Sequence, residues 1–187
     1  MSGLGKRLYP GLVLGAVMLA GCNYESGQRA AARGDTALAA EILTPLAARG
    51  DMRAAQALAR VKLSDDSDPA ALGEAERQLR RVLRFGDEWQ YGWAHYDLAQ
   101  IALRRDDPVA AAGALEEAHR LGVAWATFDL ARLLLEGRGV PADPRRAVTL
   151  LEQAAGEGIT PAMTLLGDVM ARGRTGGHAV AVPEDDK

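Results

Sequence analysis

The chain of 187 residues has a single cysteine, three histidines, two phenylalanines, three tryptophans and four tyrosines. One thiol can form no internal disulfide, so stability must come from packing alone. The only serines are Ser2, Ser26, Ser64 and Ser67, and none accompanies a histidine as a nucleophile and base would. His95, His119 and His178 show no metal-ligand spacing. The longest apolar run, residues 8–20, falls short of the roughly 20 residues that span a bilayer. The formal net charge is −3, which gives no footing for nucleic acid. No catalytic residue, cofactor or metal is expected.

Alanine and a spaced set of glycines are abundant instead. Gly50, Gly86, Gly122 and Gly158 stand 36 residues apart in every interval. Eleven residues before each comes an alanine (Ala39, Ala75, Ala111, Ala147), and seven before, a leucine (Leu43, Leu79, Leu115, Leu151). A second block, A-x-x-x-L-[AG], recurs at Ala54-Leu58-Ala59, Ala94-Leu98-Ala99, Ala126-Leu130-Ala131 and Ala162-Leu166-Gly167. Self-similarity at this period marks a stack of supersecondary units, none able to bury its apolar face alone.

Alanine and leucine four apart share one helix face, so each unit reads as two helices with a small-large seam. Asp35, Asp107 and Asp143 each precede the repeated alanine by four residues, where a carboxylate caps the first free N–H groups. Pro108 and Pro144 follow two of them at the first helical position, and Asp68-Pro69 plays the same part three residues out of register. The period glycines are expected to end their helices in the left-handed conformation. The fold class is therefore all-α: a right-handed solenoid of antiparallel helix pairs over residues 35–173, with a disordered polar tail at 174–187.

The run ATFDLARLLLEGRGVPADPRRAVTLLEQAAGEG, residues 126–158, resembles a Sel1-like repeat, a relative of the tetratricopeptide repeat. The matching features are L-A-x-x-x-x-x-G, G-x-G-V-x-x-D, R-A and A-A-x-x-G. Leu134 and Leu151 stand where that family usually places aromatics, so the packing here should be aliphatic. Residues 19 to about 120, with RGDTALAAEILTPLAARGDMRAAQALARVKL at their head, resemble the periplasmic lipoprotein family of alginate secretion. That resemblance implies a scaffold in exopolysaccharide biosynthesis and export, with an outer-membrane porin or other envelope proteins as partners.

Lys6 and Arg7 before the apolar run read as a signal peptide over residues 1–21. The run ends in Leu19-Ala20-Gly21-Cys22, which resembles a bacterial lipobox with Cys22 as the lipidated residue. Several acyl chains on one residue give stable anchoring. Asn23 lacks the aspartate of an inner-membrane retention signal, so the expected location is the periplasmic face of the outer membrane. Residues 22–34 then form a lipidated tether or a first frayed helix. Removing residues 1–21 takes the net charge from −3 to −5.

Candidate binding residues are few. WAHYDLA (93–99) and WATFDLA (125–131) repeat one unit, so Trp93, Tyr96, Trp125 and Phe128 read as packing. Trp89 and Tyr91 fall in a four-residue extension without counterparts and are the aromatic site candidates, with faces suited to sugar rings. Asp65, Asp66 and Asp68 lack the glycine and bidentate glutamate of a calcium loop and read as a solvated turn. The groups Arg80-Arg81-Arg84 and Arg104-Arg105 read as exposed helix charge, with a polyanion as the sharper alternative. In the last helix, Met163 and Met170 belong to an apolar arc of roughly 160° that has one packing neighbour fewer than in earlier units. They are candidates for partner docking, unless Val180 and Val182 of the tail fold back over them. Two function classes follow: an envelope scaffold, or an enzyme or enzyme activator acting on cell wall, with the scaffold favoured.

Overall fold

A computed structural model describes residues 24–64 and 69–175. Every regular element among the described residues is a helix: α1 (Tyr24–Ala32), α2 (Thr36–Ala48), α3 (Met52–Leu63), α4 (Pro69–Phe85), α5 (Glu88–Arg104), α6 (Pro108–Arg120), α7 (Ala124–Glu136), α8 (Pro144–Gly156) and α9 (Thr160–Thr175). Each helix packs on the next in the chain, and the pairs stack into a right-handed α-solenoid. The expected tether at residues 22–34 is corrected in part. Tyr24–Ala32 is a helix whose Gly27 and Ala30 are buried, so it supplies the first half of a first pair. Cys22, the expected signal peptide, Asp65, Asp66 and Asp68 lie outside the described residues. So do His178, Val180 and Val182, while α9 runs two residues past the expected end at 173.

Local chemistry sets the helix starts. The N–H groups of Leu38, Ala110 and Arg146 donate to Asp35, Asp107 and Asp143 at 3.1, 3.0 and 3.0 Å. Asp51 does the same for α3, accepting from Arg53 at 3.0 Å and Ala54 at 3.2 Å. Such caps satisfy N–H groups that a helix cannot pair internally. Pro108 and Pro144 stand at the starts of α6 and α8, where no hydrogen bond is lost.

Three of the four period glycines end their helices as expected. Gly50, Gly122 and Gly158 have φ of 97°, 81° and 87°. Behind each the chain closes the paired reverse hydrogen bonds of a left-handed helix end, such as Gly122 N–H to His119 O at 2.9 Å and Val123 N–H to Ala118 O at 3.0 Å. Gly86 departs from this pattern, because its φ is not positive. A side chain there would come within 2.6 Å of the Val82 carbonyl and 2.9 Å of Gln90 Oε1, so the glycine is required for close approach instead. The four-residue extension ahead of Ala94 lengthens α5 and changes the joint it leaves from.

The repeated alanines and leucines are the core. Ala39, Ala75, Ala111 and Ala147 are fully buried, as are Leu43, Leu79, Leu115 and Leu151. Alanine lets the backbones approach, and leucine fills the space between successive units. Leu134 is buried too, so the aliphatic packing expected of this chain holds. The apolar interior forms two clusters that meet on α5: Ala94 and Ile101 belong to the N-terminal one, Ala99 to the C-terminal one.

Candidate functional site

The first helices of successive pairs (α1, α3, α5, α7 and α9) form one row, and the second helices (α2, α4, α6 and α8) form the other. In the first row, α1 also approaches α3 directly and α3 approaches α5. The more closely spaced row lies on the inside of the curve, so its outward stripe lines the inner face of the solenoid. Residues spaced three and four apart on each helix build that stripe.

The stripe is polar and aromatic. From α3, Arg60 donates through Nε to Asp97 Oδ2 on α5 at 2.8 Å and lies over the Trp93 ring, 5.0 Å from its centroid. One helix along, Tyr96 OH and Gln100 Nε2 of α5 donate to Asp129 of α7 at 3.2 and 3.1 Å. Arg132 joins the same carboxylate at 3.3 Å and stands over Phe128 at 5.8 Å. At the N-terminal end Arg53 of α3 lies over Tyr24 of α1 at 5.1 Å. Each guanidinium gains from the negative face of its ring. Asp97 and Asp129 hold the same place in WAHYDLA and WATFDLA, and each carboxylate ties its helix to the preceding member of the row.

Burial and partners set the electrostatics of this face. The Asp97 side chain is 7% exposed, whereas that of Arg60 is 47% exposed. Burial pushes the Asp97 carboxyl pKa up, while Arg60 and, less strongly, Gln56 hold it down. Gln56 eases that charge, yet its buried Nε2 stops short of hydrogen-bond geometry and is left without a partner. Tyr96 is raised well above its ordinary range, first by burial and then by Asp129 beside it. Burial lowers the half-buried His95, with Glu117 opposing.

A prediction follows for Arg60→Ala. Asp97 would lose its main counter-charge, and its folded pKa would climb further above the unfolded value. A raised folded pKa leaves stability intact below the unfolded pKa, near 4, and removes it as pH rises through the folded pKa. The variant should therefore lose little against wild type at pH 4 and about 1–3 kcal/mol at pH 7. That range is smaller than for a fully buried pair, because Arg60 keeps contact with water. Urea midpoints at the two pH values measure the difference, and an equal loss at both would show that Asp97 is not the cause.

The residues singled out from the sequence fall into different roles. Trp89 is 61% exposed and lies one turn before Trp93 on the same stripe. Tyr91 is structural, because its OH donates to the Gly86 carbonyl at 2.9 Å and fixes the joint before α5. Trp93 and Trp125, read as packing, have exposed faces. Each also meets the ring three residues on, Tyr96 or Phe128, edge to face at 5.9 and 6.3 Å. The repeat therefore supports both packing and surface. His119 Nδ1 lies 2.8 Å from Thr127 Oγ1 within the packing.

The two arginine groups are engaged internally. Arg80 and Arg105 both bind Glu76, Arg81 donates to the Ala47 carbonyl and Arg104 to that of Leu63. The hydrogen bonds from Arg80 and Arg105 hold Glu76 below the usual carboxylate range. Met163 and Met170 stand on α9, 51% and 37% exposed, in line with the expected open arc. The sequence reading missed Arg53, Arg60, Gln100 and Arg132. The shared aspartate of the two W-x-x-x-D-L-A blocks was the available signal for the row they belong to.

Among the described residues no three His, Cys, Asp or Glu side chains are placed to hold a metal ion. No helix among them is long and apolar enough to cross a membrane. The arrangement presents donors, guanidinium groups and ring faces along a groove, which suits binding.

Neither protein-family models nor curated proteins match the sequence. Among solved structures, the chain is similar to c5321, a protective antigen of uropathogenic Escherichia coli strains displaying an SLR fold. Identity is 24% and the TM-score 0.60, over 72% of this chain and 29% of that one. It is similar to MamA at 19% identity and a TM-score of 0.57, covering 78% of this chain and 82% of that one. A Sel1 repeat protein from Oxalobacter formigenes matches at 25% identity and a TM-score of 0.52, over 78% of this chain and 40% of that one. The chain thus spans under half the length of two of these three. These likenesses show the fold, a Sel1-like repeat solenoid.

Proposed function

We propose that the protein is a lipid-anchored scaffold on the periplasmic face of the outer membrane, holding envelope proteins together during exopolysaccharide biosynthesis and export. The observation that carries this reading is the repeated inner face, where each first helix adds exposed rings and guanidinium groups to one continuous surface. A surface built by repetition over several helices fits an extended partner better than a single small substrate. Two features of the sequence give the setting: the lipobox-like Leu19-Ala20-Gly21-Cys22, and the resemblance of the N-terminal repeats to the alginate secretion lipoproteins. Met163 and Met170 offer a second contact at the far end, where thioether side chains adapt to an irregular partner.

The anchor is tested by Cys22→Ser in cells labelled with radioactive palmitate. Wild type should be labelled and recovered with outer membranes, and the variant unlabelled and displaced from them. Equal labelling of the two would refute lipidation at Cys22. The scaffold role is tested by crosslinking in intact cells. The protein should be captured with an outer-membrane exopolysaccharide porin, and Met163→Asp with Met170→Asp should reduce that capture while leaving the fold unchanged.

A further inference from the structure

A groove of ≈ 400 Å³ opens between α1 and α3, lined by Tyr24, Gln28, Thr36, Arg53, Gln56 and Arg60. Its volume lies within the roughly 300–1,000 Å³ of sites that take small ligands or single units of a polymer. We propose that this groove is an anionic-sugar subsite, which receives a uronate ring of an acidic polysaccharide running along the first-helix row. The inference deepens the proposed function by naming the polymer class, and it rests on that reading for its setting.

Three observations carry it. The first is unspent cationic donor capacity. Arg60 meets Asp97 through Nε alone, and its terminal nitrogens make no other hydrogen bond among the described residues. Arg53 has only a 3.7 Å ion contact with Asp51. A sugar carboxylate is the planar, two-oxygen acceptor that a guanidinium fork matches. The second is Gln56, which is 6% exposed and lines the groove with an Nε2 that lacks a partner. A buried amide without an acceptor costs stability, and a ligand oxygen would supply one.

The third observation is repetition. A ring paired with a guanidinium occurs at Tyr24 with Arg53, at Trp93 with Arg60 and at Phe128 with Arg132. A periodic surface of flat apolar faces beside cations matches a periodic ligand, in which every unit carries an apolar ring face and a carboxylate. An acidic peptide would satisfy the arginines, but nothing in its chemistry asks for a ring at each step. Exposed Trp89 and Trp125 continue the row beyond the groove.

The test uses the purified full chain in detergent micelles, with a uronic-acid hexamer as probe. A neutral glucose hexamer and a glutamate hexapeptide serve as comparisons. Binding is read by tryptophan fluorescence and calorimetry. The uronate hexamer should bind saturably and perturb the fluorescence, and the neutral hexamer should not bind. Arg53→Gln, on an exposed side chain, should weaken uronate binding about tenfold without moving the melting temperature, and Trp93→Ala should weaken it at least as much. Three results would overturn the proposal: no saturable uronate binding, equal or tighter binding of the glutamate peptide, or an Arg53→Gln variant that binds as wild type does. The scaffold reading fails separately, through palmitate labelling and porin capture, neither of which depends on the sugar.

Discussion

Leu115→Ala should cost the protein about 2–5 kcal/mol of stability, with a fall in urea midpoint large enough to threaten folding at room temperature. Leu115 is fully buried in α6 and belongs to the C-terminal core cluster, with Ala111 and Ala118 on its own helix also fully buried. Truncation removes the transfer free energy of the side chain and leaves a cavity, because close-packed alanine seams have little slack to collapse. Leu151→Ala makes the same change one repeat later, in a helix with fewer neighbours beyond it. In a linear array stability is a sum of unit and interface terms, so the two variants should differ in kind. Leu115→Ala should weaken hydrogen-exchange protection from α5 through α8, whereas Leu151→Ala should chiefly free α8 and α9. Identical protection maps for both would mean that the solenoid behaves as one cooperative block.

Gly139→Ala should destabilise by about 2–4 kcal/mol. The residue has a φ of 76°, and its added methyl would stand 2.1 Å from the Pro108 carbonyl oxygen and 2.8 Å from Val109 N. Left-handed backbone costs an alanine roughly 1–2 kcal/mol, and the forced shift against backbone that cannot rotate aside adds a comparable amount. Gly122→Ala is the internal control. Its φ is 81° but its methyl would meet nothing within 4 Å, so it should cost only about 1 kcal/mol. Chemical denaturation of the pair separates conformational strain from collision, and equal losses would show that the loop from α7 to α8 simply moves away from α6.

The fold was legible because its signals are local and repeated. Asp35, Asp107 and Asp143 cap the helices they were expected to cap, and all eight period alanines and leucines are fully buried. Gly86 shows the limit of the period. The spacing is kept there, but the extension before Ala94 gives the joint a different geometry, and a close contact with Val82 and Gln90 replaces the left-handed turn.

The binding face was harder to read for a related reason. Repetition in WAHYDLA and WATFDLA argues that the residues pack, and Phe128 and the edge-to-face ring pairs do. A residue on a solenoid's inner row is repeated and exposed at once, so recurrence could not tell core from surface at Trp93 or Trp125. The partners Arg60 and Asp97 lie 37 positions apart, and no period names that pair until the helices are stacked.

The equivalence of the joints at Gly122 and Gly158 has a genetic meaning. Both close the same reverse hydrogen bonds and enter the next helix through the same kind of residue, Val123 or Ile159. The 36 residues between them therefore form a cassette whose two ends are interchangeable. Copying it in frame joins like to like, so the new unit meets on each side the contacts its neighbours already make. Chain length in such a molecule is then a quantity that unequal recombination can adjust in whole steps, extending the reach of the inner face while leaving both termini and their attachments as they were.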